Sequence, residues 1–363
     1  MALSEITELD PVSSPDSTHA PLYSPWPLHH GLSMTLYIAL VAHRTWQRTL
    51  NLAPVPYQNQ IFLGQGETPI FGRWAAPSRA KGTIIATYGI TGDLENQWIL
   101  EILGRKAYQQ GYGVVVFDWR GHGRTAELSP TLTSDGIYEG QDYLALAASA
   151  KDLGCPPPYW LVGYSLSGQL ALWGGQATMH LPSESTLKRS DIGGVAVVCP
   201  NLDANRSLRY LTATALGRQL EQAISRELRR MAQRLYQAHP DQIDPKAIAR
   251  ARSIWTFDQE LVIPRLGFAS VEDYYAHSSP LTFMANLNLP VLILYAADDP
   301  LFDPDLIPEL QRICNTNTNL KLVLTPQGGH VGYYSSRVGQ HLSQDSNPWW
   351  AWNRVLEWIE YQS

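Results

Sequence analysis

The chain has few of the residues that would cross-link it or tie it to nucleic acid or to a bilayer. Its 363 residues hold three cysteines, Cys155, Cys199 and Cys314. Their odd number and wide spacing exclude a disulfide framework and the paired spacing of a zinc site, so a reducing compartment and no bound metal are expected. Charge is sparse as well: 17% of the residues are charged and the net charge is −6. With no long basic run, a nucleic-acid partner is excluded. The densest basic cluster, Arg226-Glu227-Leu228-Arg229-Arg230, reads as the solvated face of a helix. The longest apolar stretch, Leu32 to Ala42, is too short to span a bilayer. Met1 to Glu5 lacks the basic and apolar regions of a signal peptide. A soluble, cytoplasmic protein is expected, with peripheral membrane contact left open and no feature that sets an oligomeric state.

What is present is ordinary for a globular chain, with 44% hydrophobic residues and enough length for a sizeable core. Residues up to about Pro27, rich in Ser, Pro and Asp, read as a flexible extension. From Leu32 to Leu50, Met34, Tyr37, Ile38 and Val41 recur at helical spacing, widened by Leu36 and Leu40. This predicts a helix packed on the domain, so residues 1–55 form an N-terminal extension and helix. Strands at Gln60 to Leu63 and Pro69 to Trp74 read as an antiparallel entry. Thr83 to Tyr88, Gly113 to Phe117, Tyr159 to Val162 and Ile192 to Val198 are apolar runs of the buried kind. They alternate with helical stretches at Gln97 to Gln109 and Gly136 to Leu153. Such alternation predicts an α/β fold with a mostly parallel central sheet flanked by helices, its first part spanning 56–200. Helix-like sequence then takes over, including Leu211 to Ala238 and Pro245 to Phe257, and predicts a helical cap over 201–288. Strands resume at Pro290 to Tyr295 and Leu320 to Leu324, and a Trp-rich helix from Asn347 to Tyr361 completes the second part, 289–363.

One turn points to chemistry. The run ending at Val162 passes through Gly163-Tyr164-Ser165-Leu166-Ser167-Gly168 into a helix-forming segment. This resembles the G-x-S-x-G turn that raises a serine above a sheet edge, with Ser167 in place of the last glycine and Gly168 one position later. A serine hydroxyl needs a base and an orienting carboxylate. Two later strand ends offer them: Asp298-Asp299-Pro300 after the strand at Val291, and Gln327-Gly328-Gly329-His330 after the strand at Leu320. The order Ser, Asp, His is the one that α/β-hydrolases use. Residue chemistry leaves Asp298 and Asp299 both open, one as the acid and one as a turn former. Developing oxyanion charge needs backbone N–H donors. Leu166 supplies one, and Ile90, in the loop Tyr88-Gly89-Ile90-Thr91-Gly92, supplies the second. The earlier Asp118-Trp119-Arg120-Gly121-His122-Gly123 loop reads as structural, because His122 precedes the serine.

Together these residues resemble the α/β-hydrolases, and specifically the YheT-like branch with its abhydrolase-domain lipases and yeast medium-chain acyl-ester enzymes. Further likeness lies in Phe257-Asp258, Gly267-Phe268, Asp273-Tyr274-Tyr275, Ser278-Ser279, Ala297-Asp298-Asp299-Pro300 and Gly328-Gly329-His330-Val331-Gly332-Tyr333. The resemblance covers roughly residues 55 to 360 and implies the α/β-hydrolase fold with an inserted cap. Its alignment takes Asp299 as the acid, beside Ser165 and His330. The family's usual His-Gly is Tyr88-Gly89 here and its Gly-Gly is Ser167-Gly168. Ser335, five residues after His330, stands where some members carry the aspartate of an acyltransferase box. The expected activity is cleavage of carboxylic, acyl-type esters through an acyl-enzyme, without a cofactor and with a small-molecule acyl ester as partner. Two rivals remain: acyl transfer to an alcohol, and a binding protein with an idle triad.

Overall fold

Short apolar runs with little alternation become the buried middle of one sheet. The computed structural model describes residues 20–182 and 184–363. Among them the sheet has eight strands: β1 (Gln58–Leu63), β2 (Pro69–Ala75), β3 (Thr83–Ala86), β4 (Gly113–Phe117), β5 (Tyr159–Tyr164), β6 (Ile192–Val198), β7 (Val291–Ala296) and β8 (Leu320–Thr325). Every residue of β3, β4, β5 and β7 is buried, as expected for strands covered on both faces. β1 instead lies at an edge, burying Phe62 between exposed Ile61 and Leu63.

The spatial order is β1-β2-β4-β3-β5-β6-β7-β8. β1 pairs with β2 and β2 with β4 in antiparallel fashion, and all pairs from β4 to β8 are parallel. This is the α/β architecture that the alternating pattern predicts. The direction of winding reverses between β3 and β5. In open parallel sheets the crevice beyond the strand ends at such a reversal is the usual ligand site.

Between β6 and β7 the chain turns helical, and there its internal breaks differ from the sequence reading. The stretch read as one helix from Leu211 is two, Ala204–Ala213 and Ala215–Ala238. Thr214 leaves helical geometry, and its hydroxyl accepts the N–H of Gly217 at 3.0 Å, a side-chain cap stronger than the apolar periodicity that runs through it. Gly217 is required there, since a Cβ would lie 1.8 Å from the Leu211 carbonyl oxygen. The stretch Pro245 to Phe257 also splits, into Pro245–Arg250 and Ile254–Phe257, because Ser253 and Thr256 form a reciprocal capping box. Leu228, Met231, Ala232 and Leu235 form the buried stripe of the long helix, while Arg226 and Arg230 face solvent. That stripe packs with Phe257, Leu261, Val271 and Tyr274 into a hydrophobic cluster separate from the main core, and Ile90 packs against both.

The N-terminal region departs further from expectation. Of the segment read as flexible, residues 1–19 lie outside the described residues. The rest is irregular but tied down: Trp350 donates its indole N–H to the Ala20 carbonyl at 3.0 Å, and Ser336 its backbone N–H to that of Tyr23 at 2.7 Å. The single helix expected from Leu32 to Leu50 is a helix Gly31–Tyr37, a π turn Ile38–Ala42, one turn at His43–Thr45 and a 3-10 turn Trp46–Thr49. Met34, Ile38, Ala42 and Trp46 are buried, whereas Leu40 and Val41 are exposed. The buried stripe thus follows a strict four-residue step, which the widened π turn sustains.

Candidate active site

β5 delivers Ser165 into a turn that only small neighbours permit. Ser165 adopts φ 55 and ψ −128, a sparsely populated conformation for a residue with a side chain. A Cβ on Gly163 would sit 2.0 Å from the Ser167 carbonyl oxygen, and one on Gly89 3.1 Å from the Ser165 Cβ. Ser167 is fully buried, and its hydroxyl accepts the Tyr164 N–H at 2.9 Å while lying 2.9 Å from the Thr87 and Tyr164 carbonyl oxygens. The hydroxyl therefore stitches the turn to the end of β3. The close approach is made instead by Gly168, whose Cβ would meet Pro200 at 3.0 Å.

The loops after β7 and β8 bring an aspartate and a histidine to this serine. His330 Nε2 stands 2.8 Å from Ser165 Oγ, and His330 Nδ1 stands 2.8 Å from Asp299 Oδ2. The Asp299 side chain is 2% exposed and that of His330 11%. Asp299 Oδ1 also accepts the Leu301 N–H at 2.9 Å. The neighbouring acid has another partner: Asp298 Oδ1 accepts the Gly329 N–H at 2.9 Å, tying the two loops together. Burial raises the Asp298 carboxyl above the usual range.

Leu166 opens the helix Leu166–Ala177, where a first-turn N–H has no intrahelical acceptor. Leu166, Ile90 and Ser165 line one cleft, partly open to solvent. Its walls are mostly apolar and come from both sides: Trp119 and Phe302 from the sheet domain, and Leu208, Leu228, Met231 and Phe257 from the helical insertion. Arg206 of that insertion pairs with Asp303 at 3.3 Å and Glu309 at 3.1 Å on the loop and helix after β7.

The earlier strand-end loop is differently built. Asp118 accepts the Tyr88 hydroxyl at 2.6 Å and the N–H groups of Leu94 and Arg124 at 2.9 Å. Burial pushes its carboxyl up to about 6 despite these donors. Tyr88 is thus engaged in holding this loop. His122 stacks on Trp119 with ring centroids 3.6 Å apart, and its Nδ1 lies 3.0 Å from the Arg120 carbonyl. Burial pushes the imidazole down to about 3, so the ring is neutral. His122 lines the same cleft as Ser165, but among the described residues neither Asp118 nor His122 bonds Ser165, Asp299 or His330.

Among the described residues, one group of His, Cys, Asp and Glu has ligand atoms within 4.8 Å of one another: Cys199, Asp299 and His330. His330 already spends both nitrogens on Ser165 and Asp299, and burial pushes the Cys199 thiol up, so this donor set suits a proton relay better than an ion. One contact of the site leaves no sign in sequence spacing: the His330 N–H donates to the Thr35 hydroxyl, 295 residues earlier.

Comparison with known proteins agrees with this architecture. A family model for the alpha/beta hydrolase fold matches residues 82–336. The Synechocystis protein slr0264, provisionally named an esterase, is 50% identical over 350 residues, covering 93% of this chain and 94% of its own. A monoacylglycerol lipase of Saccharomyces cerevisiae is 26% identical over 328 residues, covering 86% of this chain and 69% of its own. Among solved structures, an esterase of Pyrococcus furiosus superposes with a TM-score of 0.52 at 14% identity, over 94% of this chain and 98% of that one, a likeness of fold. No helix among the described residues is long and apolar enough to cross a membrane. The sheet order, the serine turn after β5 and the family match over most of its length make this chain a member of the alpha/beta hydrolase family.

Proposed function

We propose that the protein hydrolyses carboxylic esters of acyl chains through an acyl-enzyme on Ser165. The observation that carries this reading is the unbroken relay of two 2.8 Å contacts, from Asp299 through His330 to Ser165, at the wall of an apolar cleft. Ser165 Oγ attacks the ester carbonyl carbon while His330 Nε2 takes its proton. Asp299 holds the imidazole in the tautomer with its proton on Nδ1 and stabilises the imidazolium that forms. The N–H groups of Ile90 and Leu166 receive the oxyanion, where fixed donors need no reorganisation. Collapse of the tetrahedral adduct expels the alcohol, which takes the proton from His330. A water then gives a proton to His330 and attacks the acyl-enzyme, and collapse of that adduct releases the acid as Ser165 Oγ takes the proton back from His330. No cofactor enters these steps. In this reading residues 201–288 are a cap over a core of 56–200 and 289–363, and residues 1–55 precede it. The greasy walls of the cleft and the lipase among the relatives favour an acyl-type ester.

A fluorophosphonate probe, with a panel of acyl esters of graded chain length, tests the reading. The protein is expected to label stoichiometrically and to turn over the panel, and Ser165→Ala to do neither. Failure of the intact protein to label would support an idle hydrolase-fold binder instead, and equal labelling of Ser165→Ala would overturn Ser165 as the nucleophile. Dominant transfer of the acyl group to added alcohol, over release of acid, would mark an acyltransferase.

A further inference from the structure

The helix Gly31–Tyr37 lies outside the residues matched by the family model, yet it touches both loops that bear the acid and the base. Against the acid loop the approach is closest at Gly31, where a Cβ would fall 1.7 Å from the Asp298 carbonyl oxygen. Against the base loop, a Cβ on Gly329 would fall 2.4 Å from the Gly31 carbonyl oxygen, and one on Gly332 2.2 Å from Met34 Cγ. Met34 itself is fully buried. At the centre of this contact the His330 N–H donates to Thr35 Oγ1 at 2.8 Å, and the Thr35 hydroxyl donates in turn to the Gly31 carbonyl at 2.7 Å.

The base loop needs such an external hold. Gly329, Val331 and Tyr333 all have left-handed φ, at 57, 60 and 47. For a β-branched residue such as Val331 this conformation is strained and persists only where surrounding contacts over-determine it. Gly329 is held by Asp298 and Tyr333 by the Gly328 carbonyl, leaving Thr35 as the acceptor for His330 itself. The direction of the imidazole follows from the position of that backbone, and small misplacements of a catalytic group cost rate rather than binding.

We propose that Thr35 is a positioning residue for His330, so that the N-terminal helix completes the active site. The inference rests on the reading of His330 as the base. Its hydroxyl fixes the His330 backbone, and through it the span between Asp299 and Ser165. The test compares Thr35→Val and Thr35→Ser in the full chain, with kcat taken per site titrated by fluorophosphonate, and follows Ser165→Ala by turnover per total protein. Thr35→Val keeps the shape and removes the acceptor; it should lower kcat about tenfold or more with KM within about twofold. Thr35→Ser restores the acceptor and should keep kcat within about threefold of the parent. A role in stability alone would lower the unfolding temperature but leave kcat per titrated site intact. Thr35→Ala gives the same reading should the valine variant fail to fold. Parental kcat in Thr35→Val, or a serine variant as impaired as the valine one, would overturn the proposal. Turnover by Ser165→Ala would instead overturn the triad mechanism, so the two failures are distinct.

Discussion

The loop after β4 and the paired loops after β7 and β8 each bring an aspartate and a histidine toward the cleft, and they end in opposite states. Asp118 is saturated by three donors and His122 lies flat on Trp119, its Nδ1 turned to a main-chain carbonyl. Asp299 is also buried and His330 is 11% exposed, yet their contacts run toward one another and the serine: carboxylate to imidazole, imidazole to serine hydroxyl. Burial alone therefore does not make a site. What separates the two regions is where the remaining hydrogen-bonding capacity points.

The largest expected effect breaks this contrast at the histidines. His330→Ala should reduce kcat by about 10⁴-fold or more, the scale for losing a triad base. His122→Phe, which retains an aromatic ring over Trp119, should stay within about fivefold of the parent. Comparable losses in both would mean that the earlier loop also serves the reaction. The aspartates sharpen the contrast further. Asp299→Asn is expected to lower kcat by roughly 10³- to 10⁴-fold, by offering the imidazole the wrong partner. Asp298→Asn keeps an oxygen for the Gly329 N–H and should cost about tenfold or less, read in the same steady-state assay.

A separate effect is one of stability, not of rate, and concerns Asp118. Its carboxyl binds a proton more readily in the folded chain, at about 6, than at its ordinary value of 3.8. A carboxyl shifted upward favours folding while protonated, so stability should fall as pH rises from about 4 to 6 and level off above. The difference is roughly 3 kcal/mol at about 1.4 kcal/mol per unit. Urea unfolding at pH 4, 5, 6 and 7 should show that fall in the parent relative to Asp118→Asn. An unchanged difference across the series would show that the three donors offset burial in full.

Much of the sheet was legible because its signals are local. Continuous apolar runs marked β3 to β7 within a few residues, and small residues around Ser165 marked a tight strand-to-helix turn. The helical insertion was legible as helical, but its breaks were not. Thr214 and Ser253 end helices through their own hydroxyls, and apolar periodicity runs past such caps without a trace. The helix near the N-terminus was misjudged on its buried face, because a π turn changes the step at which side chains return to one side. Ser167 read as a small stand-in for glycine, whereas its hydroxyl makes bonds that glycine could not.

The sequence by itself determined the strand-rich frame and the tight turn around Ser165. These rest on side-chain size and periodicity, which act over a few residues. The tertiary structure sets Asp299, the aspartate that the family resemblance takes, against the imidazole and His330 rather than His122 against the serine, and only the tertiary structure brings Thr35 to the His330 backbone. His330 meets Ser165 across 165 residues and Thr35 across 295. Contacts at such separations are set by the order of strands in the sheet and the closure of loops beyond their ends, neither of which is written in any short stretch of chain.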